Sequence, residues 1–164
     1  MMGRIAGLRI AVICCCFLAL AACSKKNQPD LETGGPGVAT PGSAKDFTIN
    51  VGDRIYFLAD QSTLTPEAQE TLRRQAAWLK QYPHVMIQVE GHADERGTRE
   101  YNLALSARRA TATREFIIAQ GIPGNRISSI AYGKERPVAL CDAEQCWSQN
   151  RRAVTVITAG AVSG

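Results

Sequence analysis

Residues 84–123, HVMIQVEGHADERGTREYNLALSARRATATREFIIAQGIP, carry two periodicities in succession. Val85, Ile87 and Val89 alternate with Met86, Gln88 and Glu90, the period of two that puts one face of a strand in a core. Beyond a charged loop the spacing changes. Thr98 is placed to cap a helix whose expected apolar face is Leu105, Ala112, Phe116 and Ala119, and Gly121 with Pro123 stops it. RISSIAYG (126–133) then reads as another strand. A strand, a long helix and a second strand follow one another here, the β-α-β part of the element order.

The flanks repeat the pattern. FTINVGDRIYF (47–57) alternates and is rich in β-formers, with Gly52 and Asp53 marking a break, so it is expected to be the first strand region. Thr65 and Pro66 supply a cap and a first helical residue, Glu67 suits the helix dipole, and Ala68, Leu72, Ala76 and Leu79 recur at helical spacing up to Pro83. AVTVIT (153–158) is a last strand. The order βαβαββ predicts an α/β fold of the α+β sandwich type, with a mixed four-stranded sheet and two main helices packed on one face. Strand order is not legible in one sequence.

Ahead of this domain, expected over 46–164, lie two segments of other character. Residues 1–22 have Arg4 and Arg9 before an apolar run and read as an export signal. That run is well short of the roughly 20 residues a spanning helix needs. Its end, Leu20-Ala21-Ala22-Cys23, resembles the bacterial lipobox, which implies cleavage before a lipid-modified Cys23 and an outer-membrane anchor. The alternative is ordinary secretory cleavage with Cys23 free. From Cys23 to Lys45 prolines and glycines dominate, the composition of a flexible linker. With Cys14, Cys15 and Cys16 in the signal and Cys23 lipidated, Cys141 and Cys146 remain. In an oxidising compartment the pair reads as a disulfide rather than two free thiols, a local staple outside the polar stripe described next. Loss of Arg4 and Arg9 takes the formal charge from +4 to +2, too little to argue for nucleic acid.

The loop and helix start hold Asp94, Asn102, Ser106 and Arg109. At about 100° per residue Ser106 lies about 40° and Arg109 about 20° from Asn102, so these three form one stripe beside Leu105. Long helical side chains lean toward the amino end, which carries Arg109 toward the Asp94 loop. Two readings stay open on the residues alone. Either Asp94, Arg109 and the helix amides form a site for a zwitterion, or Asp94 caps its loop, Arg109 pairs with it or with Glu95, and the stripe is solvated.

VEGHADERGTREYNLALSARRA, AYGKERP and NRRAVTV together resemble the OmpA-like peptidoglycan-binding domain over about 55–157. The resemblance implies that Asp94 and Arg109 hold the meso-diaminopimelate residue of the stem peptide. It places the family's helix asparagine on Asn102 and its acidic position after the first strand on Asp60, with the helix-start Thr98 in the same site. Two residues before Asp60, where the family usually has another acid, this chain has Leu58. With the lipobox and linker, the likeness extends to lipoproteins that work with the Tol system, with the domain facing the periplasm, and implies peptidoglycan, TolB and the outer-membrane bilayer as partners. No cofactor, metal or catalytic role is implied. His84 and His92 lack ligand spacing, and no serine or cysteine lies in a nucleophile motif. The rival functions are a protein-docking lipoprotein without direct peptidoglycan binding and a peptidoglycan hydrolase.

Overall fold

The computed structural model describes residues 39–163. The leader expected over 1–22, the lipidation expected at Cys23 and the expected linker as far as residue 38 lie outside the described residues. Four strands form one sheet: β1 (Arg54–Tyr56), β2 (Met86–Gly91), β3 (Ile127–Ala131) and β4 (Arg152–Ala159). Their order is β1-β4-β2-β3. β2 pairs in parallel with β3, in register from Ile87 opposite Ile127, while β4 runs antiparallel to β1 and to β2.

Helices α1 (Pro66–Gln81) and α2 (Arg99–Ala119) pack on one face of the sheet. Their starts follow from the sequence: the Thr65 hydroxyl accepts from Ala68 N and the Thr98 hydroxyl from Tyr101 N. Leu72, Ala76 and Leu79 of α1 meet Ile87 and Val89 of β2, Ile127 of β3 and Ile55 of β1 in one core. Leu72 and Leu79 are fully buried, each contributing about 2 kcal/mol from apolar burial.

Two expectations need correction. The first concerns 47–57, where only Arg54–Tyr56 is strand. Ala44–Asp46 forms a helical turn that continues as a π-helical turn over Phe47–Val51. Side-chain hydrogen bonds override the alternating pattern here. The Ser43 hydroxyl caps the turn by accepting from Asp46 N, and the Asp46 carboxylate accepts from Gly42 N at 2.9 Å, Asn50 Nδ2 at 2.7 Å and Trp78 Nε1 at 2.8 Å. Burial alone would raise the Asp46 pKa, but these donors outweigh it and hold the carboxyl below its ordinary value. Phe47 packs edge-on against Trp78, with ring centroids 4.9 Å apart. Gly52, at φ +92°, then turns the chain into β1. Because Ser43 is buried, the compact part begins ahead of residue 46.

The second correction concerns α2. Leu105 is buried as expected, but Ala112 and Phe116 are half-buried and Ala119 is exposed. The buried row is Asn102, Leu105, Ser106, Arg109, Ala110, Thr113 and Ile117. Its polar members lie where α2 crosses the end of β2, and what they bond there defines the site.

A third, short helix, α3 (Glu144–Asn150), precedes β4. It had no counterpart among the expected elements. Cys141 and Cys146 are disulfide-bonded across its start, with Cα atoms 5.6 Å apart.

Candidate binding site

β2 ends at Gly91, and a Cβ there would lie 2.0 Å from the Ser106 carbonyl oxygen and 3.1 Å from Ala110 Cβ. The missing side chain lets α2 settle directly on the strand end. That contact brings the polar stripe against the loops that leave β1, β2 and β3.

Each member of the stripe holds a loop. Asn102 Nδ2 donates to Arg96 O at 2.7 Å. The Ser106 hydroxyl accepts from Gly133 N at 2.9 Å and donates to Leu103 O. Arg109 is fully buried and donates to three carbonyls, Gln61 O through Nε at 2.8 Å, His92 O through Nη1 at 2.8 Å and Leu58 O through Nη2 at 3.2 Å. Backbone groups taken from water at the sheet's end need partners, and the stripe supplies them. The stripe is therefore not solvated. Burial lowers the Arg109 pKa to about 10, with Asp94 and Asp60 supporting its charge and Arg151 opposing it; the guanidinium stays protonated at neutral pH.

Between these loops lies a cleft of about 300 Å³ lined by Ala59, Asp60, Asp94, Arg96, Gly97, Tyr101, Asn102 and Leu105. Asp60 stands at φ +57°, and its carboxylate accepts from the Tyr101 hydroxyl across the cleft. Thr98 is spent on capping α2. Of the residues expected at the site, Asp94, Asn102 and Asp60 line the cleft and Thr98 sits at its edge. Arg109 does not line it and does not ion-pair with Asp94 or Glu95. It reaches the Asp94 loop through His92 O instead.

Asp94 pairs with Arg96, Nη2 to Oδ2 at 2.6 Å, and with Arg151, Nη1 to Oδ2 at 3.4 Å. Burial alone would raise its pKa, but Arg96, through side chain, backbone N–H and charge, and then Arg151 hold the carboxyl below the ordinary aspartate value. Arg96, Arg151 and Tyr101 were not singled out from the sequence. The available signal for Arg151 was an arginine pair, Arg151-Arg152, directly ahead of the last expected strand. Both are buried.

His92 is packed, 2 % exposed and stacked near Tyr132 with neither ring nitrogen hydrogen-bonded. Burial, with the charges of Arg152 and Arg136, takes its pKa to about 4. It is neutral at pH 7, so its 3.7 Å approach to Glu90 is not an ion pair.

The disulfide lies outside the stripe, as expected, but neighbours of Cys146 on α3 touch the arginines that hold Asp94. Glu144 accepts from Arg151, and Trp147 donates to Glu95 while its ring lies 4.2 Å from the Arg96 guanidinium. Cys146 sits between these two residues. Replacing both cysteines by serine is expected to lower stability by about 2 kcal/mol in chemical denaturation, the chain-entropy value for so short a loop. It is also expected to weaken ligand binding at the cleft by about 3-fold, the effect of loosening a partly exposed ion-pair network. An unchanged affinity would show that α3 does not support Asp94.

An OmpA family model matches residues 56–151, and the sequence is 63 % identical over 145 residues to the peptidoglycan-associated lipoprotein of Agrobacterium fabrum, covering 85 % of this chain and 82 % of the relative. The chain belongs to the OmpA family, among the peptidoglycan-associated lipoproteins. A second relative of that name, from Mesorhizobium japonicum, is 56 % identical over 96 % of this chain and 98 % of its own length. The crystal structure of the peptidoglycan-associated lipoprotein from Burkholderia pseudomallei superposes with a TM-score of 0.63 at 40 % identity, covering 65 % of this chain and 90 % of that one. The C-terminal domain of Helicobacter pylori MotB shares the OmpA family fold at 24 % identity and a TM-score of 0.61. The mixed sheet with two helices on one face is thus the family's architecture.

Proposed function

We propose that this chain is an outer-membrane lipoprotein that binds peptidoglycan non-covalently through the diaminopimelate of the stem peptide and cuts no bond in it. In this reading residues 1–22 are removed, Cys23 carries the lipid, and the linker after it ends ahead of the turn that Ser43 caps, where the binding domain begins in the periplasm. The wall is thereby tethered to the outer membrane. The Tol proteins, TolB among them, are the partners, in envelope integrity and cell division.

The observation that carries the reading is the cleft, which places the Asp94 carboxylate opposite the start of α2 in a member of this family. Diaminopimelate linked into a peptide through one amino acid centre presents an ammonium and a carboxylate at the other. Asp94 takes the ammonium. The carboxylate goes to the unpaired amides of the first turn of α2 and toward Arg109. Arg109 stands buried behind the cleft wall, so it favours the carboxylate through its positive charge and through the three loop carbonyls it holds. Asn102 and Thr98 hold the loop and helix start in place, and Asp60 with Tyr101 forms the opposite wall.

The test is a sacculus pull-down with two competitors, a stem tripeptide ending in meso-diaminopimelate and the same tripeptide ending in lysine. The diaminopimelate peptide is expected to release the protein at a concentration at least ~10-fold lower, the value of one charge-assisted contact. Equal potency removes the carboxylate from the site. Release by neither, with retention on sacculi lost when TolB is absent, would make the chain a protein-docking lipoprotein. Soluble fragments shed from the sacculi would make it a hydrolase.

A further inference from the structure

Asp94 presents a carboxylate whose acceptor directions are already taken. Two carboxylate oxygens offer about four such directions. They receive Arg96 Nη2 at 2.6 Å, Arg96 Nε and Arg96 backbone N at 3.2 Å each, and Arg151 Nη1 at 3.4 Å. An incoming ammonium has to displace one of these donors.

The donors differ in how they are held. The Arg151 side chain is 6 % exposed and is pinned elsewhere by Phe57 O and Glu144. The Arg96 backbone is fixed as well, since its carbonyl receives Asn102. The Arg96 side chain, in contrast, is 43 % exposed, and apart from Asp94 its guanidinium meets the Trp147 ring at 4.2 Å. It has a second resting place beside the first. An arginine over an indole face retains favourable interaction without the carboxylate.

We propose that Arg96 is a built-in competitor for the cleft: its guanidinium occupies the place of the ligand's ammonium on Asp94, and binding transfers it to Trp147 alone. This rests on the reading of the cleft as a site for an ammonium and a carboxylate. The ligand then gains only the difference between two ion pairs at Asp94. Every ammonium ligand loses affinity by the same factor, so a peptide offering an ammonium alone is left weakly held, while one that adds a carboxylate for α2 and Arg109 still binds. Arg96 sets the threshold for a two-ended ligand. Trp147 and the disulfide at Cys146 keep the displaced side chain beside the cleft.

The inference is tested by titrating the full chain in detergent with the diaminopimelate tripeptide. Arg96→Gln is expected to bind about 2- to 5-fold more tightly than the wild type, the range for release of a partly exposed ion pair. Arg96→Lys, still cationic but unable to bond both oxygens side by side, is expected to fall between them. In an Asp94→Asn background Arg96→Gln is expected to change nothing. Thermal melts of the variants separate binding effects from folding. If the wild type binds and Arg96→Gln binds equally or more weakly, Arg96 is inert or a ligand contact and the competitor role is overturned. A weakening that vanishes when the tripeptide's free carboxylate is amidated identifies that contact as the carboxylate. If neither protein binds the tripeptide, the reading of the cleft falls, and this inference with it.

Discussion

Arg109→Met is expected to lower stability by about 3 kcal/mol and to abolish measurable retention on sacculi. Methionine fills much of the space of the arginine stem but donates nothing, so Leu58 O, Gln61 O and His92 O lose the guanidinium that joins them. A buried acceptor left without a donor costs about 1–3 kcal/mol. The three losses overlap because the loops relax together, and removing a buried charge recovers some desolvation, which holds the total near ~3 kcal/mol. For a domain of this size that is a fall of about 10–15 °C in Tm. Asp94→Asn is the contrasting variant. Its fold is expected to persist while binding weakens by about 10-fold or more, since it removes the partner proposed for the ammonium and not the tie between loops. Denaturant titrations beside pull-downs distinguish the two. An Arg109→Met protein as stable as the wild type would show that the three carbonyls find other donors.

The contact of the Asp94 carboxylate with its arginines also has a pH sign. Its carboxyl titrates below the ordinary aspartate value. The contribution is therefore fully present above about pH 4, the unfolded-chain value, and is lost as pH falls through the lower folded value.

Gly91→Ala is expected to be as damaging as Arg109→Met, through geometry alone. The new methyl would lie 2.0 Å from a backbone oxygen of α2, and backbone cannot rotate out of the way as a flexible side-chain tip can. The helix has to lift from the strand end, at a cost of about 3 kcal/mol. Lifting α2 stretches the bond from Gly133 N to the Ser106 hydroxyl and those from Arg109 to the loops together. Binding and stability are thus expected to fall in parallel. Gly97→Ala serves as the control. It lies in the site loop at φ +85° with 3.7 Å of room, so it tests backbone strain without displacing the helix. If Gly91→Ala melts within 3 °C of the wild type, the close approach is not a constraint on the fold.

The elements that a local signal specifies were legible in the sequence. Thr65 and Thr98 cap the helices they were expected to cap, and Ile87 and Val89 face the core on alternate positions of β2. What escaped was decided by contacts distant along the chain. Phe47–Val51 alternates like a strand, yet Asp46 bonds to Trp78, 32 residues on, and the segment coils against α1. Burial usually selects apolar residues, so helical spacing alone points to Leu105, Ala112, Phe116 and Ala119 as the inner face of α2. Asn102, Ser106 and Arg109 are buried there because loop carbonyls and an amide from three other segments converge on them, and no window of the sequence contains those groups. Asp94 was expected near the stripe and lines the cleft; of the arginines on its carboxylate, Arg151 lies 57 residues on, outside any window, while Arg96 lies only two away in a charged loop with no periodic signal to mark it.

The clip at Asp46 and Trp78 lies in the last turns of α1, whereas the cleft opens beyond its amino end at Pro66, about 18 Å back along the helix. With lipid at Cys23 and wall in the cleft, as proposed, a pull between the two layers enters at one pole and leaves at the other. Between them β4 is hydrogen-bonded to β1 on one side and to β2 on the other, with bonds perpendicular to the strands. Tension along the strands loads those bonds together in shear instead of peeling them one after another. Under that proposal the sheet lies between the two points of load as a tensile link, its strands held side by side across the line of pull.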